Sequence, residues 1–275
     1  MSKWSGSGYG GKRGGRSATP SLGANAQAGV EPREQLEEAC KQLGLSLGEP
    51  DFDKLLAYRD LLLQWNRVYN LTALRDPAEV LSHHLIDCLA VLPALRRHAD
   101  GRPLRVLDVG SGGGLPGVVV AILQPDWAVT CVDTVAKKAA FIRQAAGELR
   151  LPNLGSVHSR VEALVPSSAG AGRGSTHGPF DLITSRAFAS LADFASLTQH
   201  LLAPGGEGGG GIESGGGGEV GGEVGSVWAA LKGKPSDDEL AGVPAGVDVF
   251  HVEPIQVPGL DAQRCLVWMR PRSSN

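Results

Sequence analysis

Residues 108–117 read Asp-Val-Gly-Ser-Gly-Gly-Gly-Leu-Pro-Gly. Glycine lets the main chain turn through positive φ and brings N–H groups close to a bound ligand. A helix opening near Pro116 adds the partial positive charge of its N-terminus. Two cofactor chemistries fit these residues. Asp108-Val109-Gly110-Ser111-Gly112 has the D-x-G-x-G form that S-adenosylmethionine (SAM) enzymes place after their first strand. Gly112 to Gly117 formally satisfies G-x-G-x-x-G, the dinucleotide fingerprint. A tight turn with no ligand is the plain alternative. Asp133, about 20 residues beyond the glycines, can accept hydrogen bonds from the ribose of either cofactor. Asp108 separates them: an acid at the mouth of the turn suits an ammonium and a sulfonium and disfavours a pyrophosphate. The dinucleotide pattern also starts two residues later than it should after the strand. The spacing therefore favours SAM over NAD.

The elements that must hold this turn follow from periodicity. Leu104 to Val109 is a short branched-apolar run, as in a buried strand, and Val118 to Leu123 continues as a helix. Pro116 suits a first helical turn. Strands are expected at Ala128–Val132, Ser156–His158, Phe180–Ser185 and Val227–Leu231, with helices at Val135–Leu149 and Leu191–Leu202. Val247–Val257 and Cys265–Met269, with no clear helix between them, read as an antiparallel edge. Alternation of this kind predicts a doubly wound, Rossmann-like α/β sheet with ligands at the carboxyl ends of its strands. Ahead of it, Glu31–Leu47 is helical, Asp51 caps a second helix running toward Asn70, and Asp76-Pro77, with Glu79, opens a third. The expected organisation is a Gly/Ser-rich basic tail (1–30), a helical lobe (31–98) and the α/β domain (99–275). Two small-residue loops interrupt that domain, Ser167–Gly178 and Gly205–Gly225.

Composition sets outer limits. The chain has 275 residues, 42% of them hydrophobic, and a formal net charge of -3, so nucleic-acid binding must rest on a local patch. The four cysteines, Cys40, Cys88, Cys131 and Cys265, form no C-x-x-C pair and suggest neither zinc nor a disulfide framework. Buried thiols in a reducing cytoplasm are expected instead. No apolar run approaches the roughly 20 residues that span a bilayer, and the basic tail lacks the apolar stretch of a signal peptide. A monomer with no metal site and no membrane association is expected.

Taken together and in order, several motifs resemble one family, the bacterial 16S ribosomal RNA guanine-N7 methyltransferases (GidB). They are Asn70-Leu71-Thr72-Ala73, His84 with Asp87, the 108–117 turn, Ser159-Arg160-Val161-Glu162, Ser185-Arg186-Ala187-Phe188-Ala189 and Leu231-Lys232-Gly233. Gly113, where relatives often carry Pro or Ala, the tail and the two loops depart from the pattern. The resemblance implies a class I SAM-dependent methyltransferase acting on 16S rRNA or the small ribosomal subunit in the cytoplasm. It places cofactor contacts on Gly110, Gly112, Leu115, Asp133, Val161, Glu162 and Arg186, with Asp133 at the ribose and Val161-Glu162 near the adenine.

The chemistry this implies needs little from side chains. Guanine N7 has an in-plane lone pair and no proton, so positioning suffices and no general base is required. After the fourth strand the chain reads SRAFAS, without the Asp/Asn-Pro-Pro-Tyr of amino-group methylases, and it shows no Pro-Cys nucleophile. Arg186 and Lys232, at the ends of the fourth and fifth strands, are the candidates for phosphate or guanine O6. Each has a plainer reading as half of an ion pair. His84 and Asp87, three apart on a helix, can simply fasten the lobe to the core. Asn66 and Asn70 read as backbone caps, and Lys137, Lys138 and Arg143 as a solvated helix face.

Overall fold

A computed structural model describes residues 30–166, 178–204 and 225–272. The basic tail and most of both small-residue loops lie outside the described residues.

Seven strands form one sheet: β1 (Arg105–Val109), β2 (Ala128–Asp133), β3 (Leu154–His158), β4 (Leu182–Arg186), β5 (Val227–Lys232), β6 (Val247–Ile255) and β7 (Arg264–Pro271). Their order is β3-β2-β1-β4-β5-β7-β6. The first five are parallel, and β7 runs antiparallel between β5 and β6. The expected antiparallel edge is present. The order reverses between β1 and β4, so the crevice of this doubly wound sheet opens at their carboxyl ends, where residues 110–117 and 187–190 begin.

Strand pleating sorts the core into two sides. Val106, Val129, Leu182, Ala229 and Leu266 point to one face, and Leu107, Val132, Ile183, Ala230 and Val267 to the other. The first face carries α1 (Pro32–Gln42), α2 (Glu49–Tyr69), a long helix over 77–99, α5 (Gly117–Leu123) and α6 (Ala136–Glu148). The second carries α7 (Leu191–Thr198), and Leu240 of the short α8 (Asp237–Ala241) packs there. Every residue of α5 is buried, as its uniformly apolar sequence requires.

The long helix has three parts: α3 (Pro77–Val80), a π turn (Leu81–Ile86) and α4 (Asp87–Ala99). Asp76 caps it as expected, accepting from the amides of Ala78 and Glu79. By length and hydropathy this helix would qualify to cross a membrane, contrary to the sequence reading. Its most apolar stretch is 78% buried against the protein's own core, which explains the composition. Two further boundaries differ from expectation. Gly48 is the cap of α2, and Asp51 sits at the third helical position, its carboxylate accepting the Gly48 N–H at 3.1 Å. Pro116 is the cap residue of α5 rather than its first residue. Asn70 ends α2 in the left-handed conformation, and Asn66 ties the loop beyond it, donating to the Leu74 carbonyl at 2.7 Å and accepting from the Thr72 amide at 2.9 Å. All four cysteines are free and buried.

Candidate active site

The turn after β1 closes on the end of β2. The Gly110 and Ser111 amides donate to the Val132 carbonyl at 2.9 and 3.2 Å. The Gly112 amide donates to Asp133 Oδ2 at 2.9 Å, while Asp133 Oδ1 accepts from the Val135 amide at 2.8 Å. These amides were expected to face a ligand; they are already engaged, two by the Val132 carbonyl and one by the Asp133 carboxylate. The consequence is chemical. A diphosphate nest requires free N–H groups, and this turn does not offer them at those three positions.

Asp108 also differs from expectation. It is fully buried against the start of α5 and does not sit at the mouth of the turn. Its Oδ2 accepts the Gly117 amide at 2.9 Å, so the acid answers the N-terminus of α5 from beneath. Its Oδ1 is buried without a hydrogen-bond partner. Burial pushes this carboxyl up to about 7, against the opposing pull of the Gly117 amide and the Arg186 charge.

Above the turn lies an open cleft of about 220 Å³. Gly110, Asp133 and Val161, three of the expected cofactor contacts, line it, together with Thr134, Lys138 and Phe188. Gly110 has φ +64°, and a Cβ there would lie 2.6 Å from the Phe188 ring. Only glycine fits between that ring and the strand end. Lys138 Nζ stands 3.8 Å from Asp133. Gly112 adjoins through its bond to Asp133. Leu115 is buried in the core below the turn, and Glu162 is exposed beside Val161, with its carboxylate accepting from Arg160 Nε at 2.7 Å.

Arg186 opens onto the neighbouring cavity, about 420 Å³, which also meets His84, Asp87, Lys232 and Arg264. Ala187 belongs to both walls. Arg186 donates to the His83 carbonyl at 3.1 Å and to Asp87 Oδ2 at 3.3 Å. Its Nη2 lies 3.3 Å from His84 Nδ1. Nδ1 also lies 3.1 Å from the His83 carbonyl, and Nε2 meets Thr72 Oγ1 at 2.6 Å. Burial, then the Arg186 charge, lowers His84 to about 4 and keeps the ring neutral. Asp87 Oδ1 takes a second guanidinium, Arg264 Nε, at 2.8 Å. Lys232 donates to the Ala189 carbonyl at 2.8 Å and to Glu239 at 2.6 Å, so its plainer reading as an ion-pair member is met. Sequence reasoning passed over Arg264, which carries no local signal. Lys138, read from sequence as part of a solvated helix face, instead lines the cleft beside Asp133, and Phe188 of the 185–189 motif lines it too.

The sheet order with its reversed final hairpin, and an acid-ended second strand at the glycine turn, define a class I SAM-dependent methyltransferase. Comparison with known proteins names the family. The family model for GidB, rRNA small subunit methyltransferase G, matches residues 51–208. The chain is 52% identical over 241 residues to the Ribosomal RNA small subunit methyltransferase G of Leptothrix cholodnii, covering 88% of this chain and 96% of that one. It is 50% identical over 244 residues to the protein of that name from Acidovorax sp. strain JS42, covering 86% and 94%. It is 46% identical over 242 residues to the one from Bordetella avium, covering 88% and 94%. The chain belongs to the GidB family.

Proposed function

We propose that this protein transfers the methyl group of SAM to N7 of a guanine in 16S rRNA, in the cytoplasm, where small ribosomal subunits are made. The observation that carries this reading is the pair of cavities meeting at Ala187: a cleft ending in a buried carboxylate beside a cavity lined by Arg186, Lys232 and Arg264.

The residues of the first cleft fit SAM. Asp133 is 7% exposed and keeps lone pairs for ribose hydroxyls beyond its two backbone bonds. Val109, Val132 and Val161 give apolar walls for the adenine ring. The orphaned Asp108 oxygen beneath the turn favours a cationic ligand through the low-dielectric interior. When bound, SAM supplies an electrophilic methyl on a sulfonium. The chain's own task is alignment, because N7 carries no proton to remove. His84, kept neutral by burial beside Arg186, and Asp87, paired with two guanidiniums, are placed to hold the joint in position and not to take protons. Arg186 and Lys232 are the groups we assign to substrate positioning.

The test is methylation of small subunits from a strain lacking the protein, read by mass spectrometry of the 16S rRNA. Appearance of one N7-methylguanine on adding protein and SAM is the expected result; none would reject the reading. Calorimetry should show binding of SAM and not of NAD. Asp133→Ala should weaken SAM at least about tenfold, the loss of one hydrogen bond to a charged group; unchanged affinity would remove Asp133 from the cofactor site.

A further inference from the structure

The cation-lined cavity does not end at Arg186. On its far side, Gly233 and Arg264 form a shared wall with a third cleft of about 410 Å³. Its lining is mixed: Val252, Ile255 and Leu260 are apolar, Lys234 and Arg264 are cationic, and Asp261 is the one acid. Three openings thus follow one another along the carboxyl edge of the sheet, from the end of β2 to the loop joining β6 and β7. The second and third, at 420 and 410 Å³, are each within the usual size of a small-molecule site, about 300–1,000 Å³.

Charge distinguishes this edge from an ordinary groove. Asp87 answers both Arg186 and Arg264, so one carboxylate stands against two guanidiniums and one positive charge is left over. Lys234 is exposed and makes no ion pair among the described residues. Apolar side chains take a base face; unanswered cations beside them take a phosphate. On the reading given under Proposed function, we propose that the RNA strand continues past Arg264 into this third cleft, with Arg264 and Lys234 as phosphate contacts for the nucleotide flanking the target guanine. Both are positioning residues, outside the cofactor cleft.

Counterion release supplies the test. Binding of small ribosomal subunits from a strain lacking the protein is measured between about 50 and 200 mM salt by filter retention. Lys234→Ala should bind several-fold more weakly at low salt, and the slope of log K against log salt should flatten by roughly 0.7 to 1. Lys234→Arg should restore the slope. Arg264→Gln should flatten it similarly and raise KM for the subunit more than it lowers kcat. SAM affinity should stay unchanged in all three, because neither residue lines the cofactor cleft. Lys41→Ala, on α1, serves as the control. An unchanged slope in Lys234→Ala, with normal methylation by the unaltered protein, overturns the RNA path and leaves the methyltransferase reading standing. Failure of the unaltered protein to methylate withdraws both.

Discussion

Asp108 is the residue whose chemistry reaches furthest beyond its contacts. Its carboxyl is shared between proton and charge near neutrality, raised to about 7 by burial. A cation arriving above the turn favours the charged form, so the proton should leave on SAM binding, and SAM affinity should climb as pH passes through about 7. Calorimetry at pH 7 in two buffers of different ionisation enthalpy reads this directly. A fractional proton release is expected in the unaltered protein and none in Asp108→Asn; identical release in both would assign the proton elsewhere. His84 runs the opposite way. Its pKa falls from 6.5 to about 4 on folding, through burial and then Arg186, with the His83 carbonyl and Asp87 pulling upward. Between those values the unfolded chain binds a proton that the folded one refuses. The stability contribution is therefore complete above pH 6.5 and is lost as pH falls toward 4, by about 2 kcal/mol at pH 5. Urea unfolding at pH 7.5 and 5.0 should show this difference shrink in His84→Asn; an equal acid loss in both proteins would show that the ring does not titrate this way.

At the scale of elements, one joint matters most: the π turn and α4 against β4 and β7. Asp87, 4% exposed, meets Arg186 of β4 and Arg264 of β7, partners 99 and 177 residues away in the chain. Asp87→Asn leaves both half-buried guanidiniums without a counter-charge, and destabilisation of about 2 kcal/mol is expected from urea midpoints, discounted for their partial exposure. A loss below about 0.5 kcal/mol, the level of an exposed pair, would reduce the joint to a surface contact. How much of this was legible follows from range. The pairing of His84 with Asp87 as a fastening was visible, because three residues apart on a helix is a local statement. Asp133 at the end of its strand was visible for the same reason. Arg264 was not, since nothing near it in sequence marks a partner 177 residues away. The direction of the turn's amides was invisible too. Glycine spacing says that a main chain can bend, and only the end of β2, its Val132 carbonyl and Asp133 carboxylate brought in by sheet register, decides which way those N–H groups point.

At the scale of the whole molecule, reading in order parts helices from strands near residue 98, whereas packing does not. The described residues from Pro32 onward form one unit, and a single continuous core on one sheet face runs from Leu36 of α1 through Leu62 and Leu89 to Trp268 of β7. Leu36, Leu55, Leu62, Leu85 and Leu89 are each 0% exposed. Burial of each contributes roughly 1.5–3 kcal/mol, and these leucines share one cluster with α5, α6 and the sheet residues Val106 and Val129. Helices and sheet should then lose structure together. Near- and far-ultraviolet circular dichroism of the full chain in urea should give coincident midpoints, and a chain starting at residue 99 should be insoluble or bind a hydrophobic dye strongly. Two resolved transitions, with the helical signal lost first and the sheet persisting, would mean that the shared face contributes little to cooperativity. Because the turn at 110–117 is seated against this same core, through the Tyr58 hydroxyl donating to the Gly113 carbonyl at 2.5 Å, SAM should shift both signals to higher urea by one common amount.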